Sequence, residues 1–213
     1  MALFYQHNIN ETTRTGIWRI EEPESFFLEK VPLKRDVSHP YKRLQHLAGR
    51  YLLTTLFEDF PMHEIQIADT RRPYLENEQY HFSISHCGNY AAAIVSSQHR
   101  VGVDIELVTP RIHTISHKFL ADSEKKFLAD WELLSKVHLE LTTILWSAKE
   151  AIYKWHGSGS LDFREHMQLA GPITFDPHEW CAIPFVFKKN TVMPMTIMAR
   201  VFDPLVMAYV VTG

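Results

Sequence analysis

The sequence predicts an α+β protein built from two similar halves. Three observations carry this expectation. A helix-type apolar pattern followed by short strand-type runs fills residues 39–107, the same order returns in residues 123–213, and the character changes after Pro110 without a low-complexity linker. We therefore expect an N-terminal α+β lobe of residues 1–107 and a C-terminal α+β lobe of residues 108–213. A chain of 213 residues is long enough for one large domain or two small ones.

In "HPYKRLQHLAGRYLLTTLFEDF" (39–60), Leu44, Leu47, Ala48, Tyr51, Leu52 and Thr55 recur at steps of three and four, which predicts an amphipathic helix. Arg43 and Arg50 fall near the rim of its apolar face. "RRPYL" (71–75) reads as a turn, because Pro73 biases Arg72 to extended geometry, and it leads into the strand "YHFSIS" (80–85). "NYAAAIVSS" (89–97) and "RVGVDIELV" (100–108) follow as two more strands, with "QHR" as the turn between them, so the three read as a meander. Past Pro110, "SEKKFLADWELLSK" (123–136) reads as a helix capped by Ser123, and "HLELTTILWSAKEAIYKWHG" (138–157) as one closed by Gly157. The tail returns to strands broken by prolines: "PITF", "AIPFVFKK", "PMTIMARVF" and "LVMAYVVTG".

Composition narrows the function class. Hydrophobic residues at 46% and charged residues at 22% belong to a globular chain rather than a disordered one. A net charge of −3 gives no overall basic field, so general binding to nucleic acid or to an acidic membrane is not expected. Cys87 and Cys181 make neither a zinc-ligand spacing nor a disulfide framework, which points to a reduced, cytoplasmic setting. The first residues are too polar for a signal peptide, and no apolar run approaches the ~20 residues of a membrane span.

Two carboxylates stand out. Alternate residues of a strand share a face, so Asp104 and Glu106 of "VGVDIE" point together, with Cα atoms roughly 6.5 to 7 Å apart, while Val103 and Ile105 point away. Such a pair among apolar residues is costly unless a cation or hydrogen-bond donors compensate, and hard oxygen ligands suit Mg²⁺ or Mn²⁺. An ordinary strand with one solvated face has the same pattern. In "WSAKEAIYKW", Trp146, Glu150 and Tyr153 or Lys154 share one helical face, and Glu150 with Lys154 has the spacing of a surface ion pair.

Taken together, "VGVDIE" (101–106), "WSAKEAIYK" (146–154) and the preceding "FSISHCGNYAAAIV" (82–95) resemble the signatures of the 4'-phosphopantetheinyl transferase superfamily, over about residues 40 to 165. Chain length is closer to its larger, two-lobed monomeric (Sfp-type) class than to the short trimeric synthases. The resemblance implies two lobes related by a pseudo-twofold, with the active site at their interface. It implies Mg²⁺-dependent transfer of the phosphopantetheine arm of coenzyme A to a serine of an apo acyl or peptidyl carrier protein, with release of adenosine 3',5'-bisphosphate. By resemblance, Asp104, Glu106 and Glu150 hold the ion, and Lys154 reaches the phosphates and steadies the leaving group. Glu124 of "FLADSEKKFL" matches a glutamate proposed as general base, although a first-turn glutamate also favours a helix N-terminus. Ser85 and His86 match positions at the 3'-phosphate end of coenzyme A, and Arg72, Arg50 and Arg43 are candidates for the nucleotide phosphates.

Two positions depart from the pattern. Ser158 stands where many relatives carry a lysine or arginine between the glycines of "HGSGSLDF", and Arg71 replaces a turn glycine. A different Mg²⁺-dependent phosphodiesterase and a non-catalytic coenzyme A-binding or regulatory module are the alternatives. The carrier protein served is not legible in the sequence.

Overall fold

Strands β1 (Leu3–Asn8) and β2 (Thr13–Arg19) form an antiparallel hairpin that the periodicity arguments above do not anticipate. The computed structural model describes residues 3–32, 37–176 and 178–213. These fall into two compact units, Met1–Val103 with Val211–Gly213, and Asp104–Val210. The chain is mixed α+β, as its patterning predicts.

After the hairpin, the first unit continues through α1 (Glu24–Leu28), α2 (Pro40–Leu56), a 3-10 turn at Met62–Glu64, and the short strands β3 (Gln66–Ile67) and β4 (Pro73–Tyr74). It then runs into β5 (His81–Cys87), β6 (Tyr90–Ser96) and the start of β7 (Arg100–Leu107). Pro40 opens α2 where its missing N–H costs nothing. The stripe Leu47, Ala48, Leu52, Leu53 and Leu56 is fully buried in one core with Ala91, Ala93 and Val95 of β6, about 1.5–3 kcal/mol for each leucine removed from water. Helix and sheet pack tightly at Gly49, where an added Cβ would stand 2.6 Å from Ile84 Cγ2 of β5. A side chain there has no room.

The sheet of this unit has the order β1-β2-β6-β5. The expected meander is therefore corrected: β5 and β6 form a hairpin, but β7 joins a second sheet of order β7-β11-β10-β9-β8. The reason is that both edges of β6 are taken, one by β5 and the other by β2.

The second unit contains α3 (Arg111–Ile115), a 3-10 turn at Ser116–Lys118, α4 (Asp122–Leu128), α5 (Lys136–His156), β8 (Met167–Leu169), β9 (Cys181–Phe187), β10 (Met193–Val201) and β11 (Leu205–Thr212). Its core gathers Leu141, Ile144, Leu145, Ala148 and Ile152 of α5 with Ile183, Phe185, Ile197 and Ala199 of the sheet. Ser135 caps α5, its hydroxyl accepting from the His138 N–H, and Gly157 closes the helix with φ 73°. Helix α4 is shorter than its pattern suggests. It ends at Leu128 because the chain must turn, through Leu134 at φ 62°, to set Ser135 at the head of α5. Ala121, not Ser123, is its N-cap. The "PITF" stretch is not a strand, and β8 at Met167–Leu169 takes the sheet edge instead. Pro184 and Pro194 lie inside β9 and β10 rather than breaking them, Pro184 just beyond the reach of β8 pairing. No helix among the described residues is long and apolar enough to cross a membrane.

Candidate active site

In the second unit β7 carries Asp104, which is buried, and Glu106, half-buried, two residues apart on one face. Helix α5 carries Trp146, Glu150 and Lys154 at intervals of four, hence on one face as well. The structure joins these two faces. Lys154 Nζ donates to Asp104 Oδ1 at 2.7 Å, and the Trp146 indole N–H reaches Glu106 Oε1 at 3.5 Å. The local Glu150–Lys154 pair that the spacing suggests gives way to this strand-to-helix ion pair. Asp104 is the more buried carboxylate, and a charge with little water gains most from a partner.

Glu150 feels the whole cluster. Burial raises its pKa to about 7, with Asp104 and Glu106 adding to the rise and Lys154 opposing it. Three carboxylates thus share one field that is short of positive charge, and one ammonium does not relieve it. A divalent cation would, and the donor set, all carboxylate oxygen, has the hardness that Mg²⁺ or Mn²⁺ requires. Among the described residues, no three His, Cys, Asp or Glu side chains are gathered closely enough to hold an ion. Asp104 and Glu106 are instead turned to Lys154 and Trp146. The residues fit the cation by chemistry and charge, not by a finished cage.

Glu124 stands elsewhere. It is fully buried, its Oε2 accepting from Ala121 N–H at 2.8 Å and from Lys149 Nζ at 2.6 Å, its Oε1 from Leu169 N–H at 3.0 Å. Lys149, equally buried, also donates to the carbonyls of Phe119 and Phe163. Burial lowers the Lys149 pKa, with Glu124 acting in the opposite direction. Glu124 therefore completes the first turn of α4 and ties it to α5 and β8, and no part of it faces solvent from which a hydroxyl could approach. The base role expected for it has no opening here.

The loop after α5 shows how the chain accommodates Ser158. Gly157 and Gly159 both have positive φ, 73° and 68°, and Ser158 Oγ lies 2.6 Å from His156 Nε2. Lys189, from the β9–β10 turn, donates to the carbonyls of Gly159 and Ser160. A cation thus reaches this loop from a remote residue that no local motif marks.

In the first unit a cavity of about 240 Å³ is lined by His46 and Arg50 of α2, Met62, Ile65, Arg71, Ile84 and His86, among others. Arg50 stands 3.0 Å from His46 Nδ1, one turn back on the same helix. Arg50 and His86, both expected to meet phosphate groups, line this one cavity. Arg72 is not in this lining: burial, then Arg100, lowers its pKa, and the neighbouring Arg71 faces the cavity instead. Arg71 adopts φ 65°, the left-handed region where glycine is at ease and an L-residue is about 1–2 kcal/mol worse off. The glycine expected at that position was the signal for this backbone. Ser85 is buried and, as the strand neighbour of His86, points to the opposite face of β5. Arg43 is committed to Glu24 Oε1 at 2.9 Å and to the Val37 carbonyl. His46 and Arg71 were missed from sequence, His46 because a lone histidine in a helix carries no pattern.

Comparison with known proteins bears on the family of the chain. The sequence model of the 4'-phosphopantetheinyl transferase superfamily matches residues 100–202, the span that holds Asp104, Glu106, Glu150 and Lys154. The chain is 31% identical over 139 residues to the 4'-phosphopantetheinyl transferase AcpT of Escherichia coli K12, covering 61% of this chain and 68% of that protein. It is 32% identical over 116 residues to enterobactin synthase component D of the same organism, where it spans 53% of this chain and 54% of the relative. A putative 4'-phosphopantetheinyl transferase of Haemophilus influenzae matches at 29% over 126 residues, 57% of this chain and 52% of that one. The chain thus spans about half the length of the last two relatives. On these matches the chain belongs to the 4'-phosphopantetheinyl transferase superfamily of enzymes.

Proposed function

We propose that the protein transfers the 4'-phosphopantetheine arm of coenzyme A to a serine hydroxyl of an apo acyl or peptidyl carrier protein, in a Mg²⁺-dependent reaction. The observation that carries this reading is the shared field of Asp104, Glu106 and Glu150, with Lys154 at its edge. In this reading those three carboxylates hold the ion. When bound, it would neutralise charge on the diphosphate oxygens.

The serine oxygen bonds to the β-phosphorus while the bond to the bridging oxygen breaks, and adenosine 3',5'-bisphosphate leaves with that oxygen. Lys154, half-buried and already aimed at the cluster, supplies a donor for the charge that develops there. The hydroxyl proton must pass to a base as the bond forms. Glu124, sealed in the core, has no access to that proton. Taken by itself, the first-unit cavity offers Arg50, His46, Arg71 and His86 as donors to phosphate oxygens, and Met62, Ile65 and Ile84 as an apolar wall.

The test is the intact mass of purified apo-carrier proteins after incubation with coenzyme A, Mg²⁺ and this protein. A phosphopantetheine mass gain is expected on at least one carrier, lost with chelator and lowered roughly 100-fold or more in rate by Asp104→Ala. Coenzyme A binding without mass gain on any of several carriers would instead mark a non-catalytic binding module.

A further inference from the structure

Lysine is almost never fully buried unless it is paired, and Lys149 shows no surface at all. Its pair with Glu124 is not explained by stability alone, since apolar side chains of similar volume often serve a core equally well. Nor does either group meet solvent, so neither meets a substrate. What the pair does secure is the position of two main-chain segments. Lys149 Nζ takes the carbonyls of Phe119, at 2.7 Å, and of Phe163, at 3.0 Å.

The rings of those same two residues pack on Trp146. The Phe119 ring lies 5.0 Å from the indole and the Phe163 ring 5.6 Å, centre to centre. Trp146 precedes Lys149 by three residues on α5, so one helical turn carries both the indole and the ammonium that fixes its neighbours. The indole has a single polar atom, an N–H that can only donate, and it is turned to Glu106 Oε1 at 3.5 Å. At that length the contact stands at the outer limit of a hydrogen bond. Its use is directional.

We propose that Trp146 is a positioning residue that orients the Glu106 carboxylate for the divalent cation, held in place by the Phe119 and Phe163 rings and, behind them, by Lys149. The inference rests on the reading of Asp104, Glu106 and Glu150 as the cation site. Partners that orient a metal ligand commonly account for 10- to 100-fold in affinity, roughly the effect at stake here.

The test measures Mn²⁺ binding to the protein without coenzyme A, by the loss of the free-ion electron paramagnetic resonance signal. Trp146→Phe keeps an aromatic ring and removes the N–H. Its Mn²⁺ affinity should fall about 10-fold while its thermal midpoint stays close to that of the parent. A purely structural role would move the midpoint and leave the affinity alone. Lys149→Met should lower affinity as well, and if it does not fold, Trp146→Phe still decides. Parent protein that binds no Mn²⁺ overturns the cation reading and this inference with it. Parent binding with unchanged affinity in Trp146→Phe overturns this inference alone.

Discussion

The two units solve the placement of charge in opposite ways. The first lines a cavity with cationic and imidazole side chains against apolar walls, one of which, Ile84, is packed tightly on Gly49. The second brings three carboxylates into one field, sets a single lysine against them, and holds a separate buried ion pair on the same helix. A cavity for anions needs shape and donors, which packing can supply in advance. A cluster of like charges cannot be completed by packing, because its repulsion persists until a cation arrives.

The contrast can be broken most severely at Lys149. Lys149→Ala leaves Glu124 as an uncompensated buried charge and should cost about 3–5 kcal/mol in urea denaturation. Much of that should return in the Lys149→Met, Glu124→Gln double variant, where no charge is stranded. In the first unit, Arg50→Ala should weaken coenzyme A by about 1.5–3 kcal/mol in calorimetry, the value of a charge-assisted bond. The loss should shrink with 3'-dephospho-coenzyme A if that phosphate is the partner. Gly49→Ala is a smaller effect with two opposed parts. Overpacking on Ile84 costs about 1–3 kcal/mol and the helical gain of alanine over glycine returns about 1, so a net loss of stability is expected.

The smallest effect separates the cluster from an ordinary buried carboxylate. Burial raises the pKa of Glu140, with Lys136 opposing, so the folded protein holds this proton more tightly than the unfolded chain. Stability from that proton is present below the ordinary glutamate pKa and is lost as pH rises through the raised one. Glu140→Gln should therefore match the parent in acid and exceed it slightly at neutral pH. Added Mg²⁺ should leave that difference unchanged, whereas it should stabilise the parent and lose this effect in Asp104→Ala.

Where the sequence was legible, a local period or a motif did the work. The α2 and α5 stripes and the Gly157 closure follow from side-chain spacing and glycine chemistry, and the residues of the carboxylate cluster from two short motifs. What escaped was non-local. The departure of β7 from the meander depends on β2 occupying an edge of β6, a partner more than seventy residues away in the chain. The Lys154–Asp104 pair overrode the nearer Glu150, and the Lys189 contacts with the Gly159 loop cross thirty positions. Glu124 was ambiguous for a physical reason: an acidic group in a first turn looks the same from the sequence whether it caps a helix in the core or serves a reaction.

The division between the units falls inside two strands, after Val103 in β7 and after Val210 in β11. Anyone wishing to study half of this molecule as a separate expression product therefore has no clean place to cut. A fragment stopping at residue 107 would lack Val211–Gly213, which count with the first unit, and would carry a stump of β7 severed from its neighbour β11. Joining the tail back through a short designed bridge, rather than simple truncation, is the route to an autonomous first half.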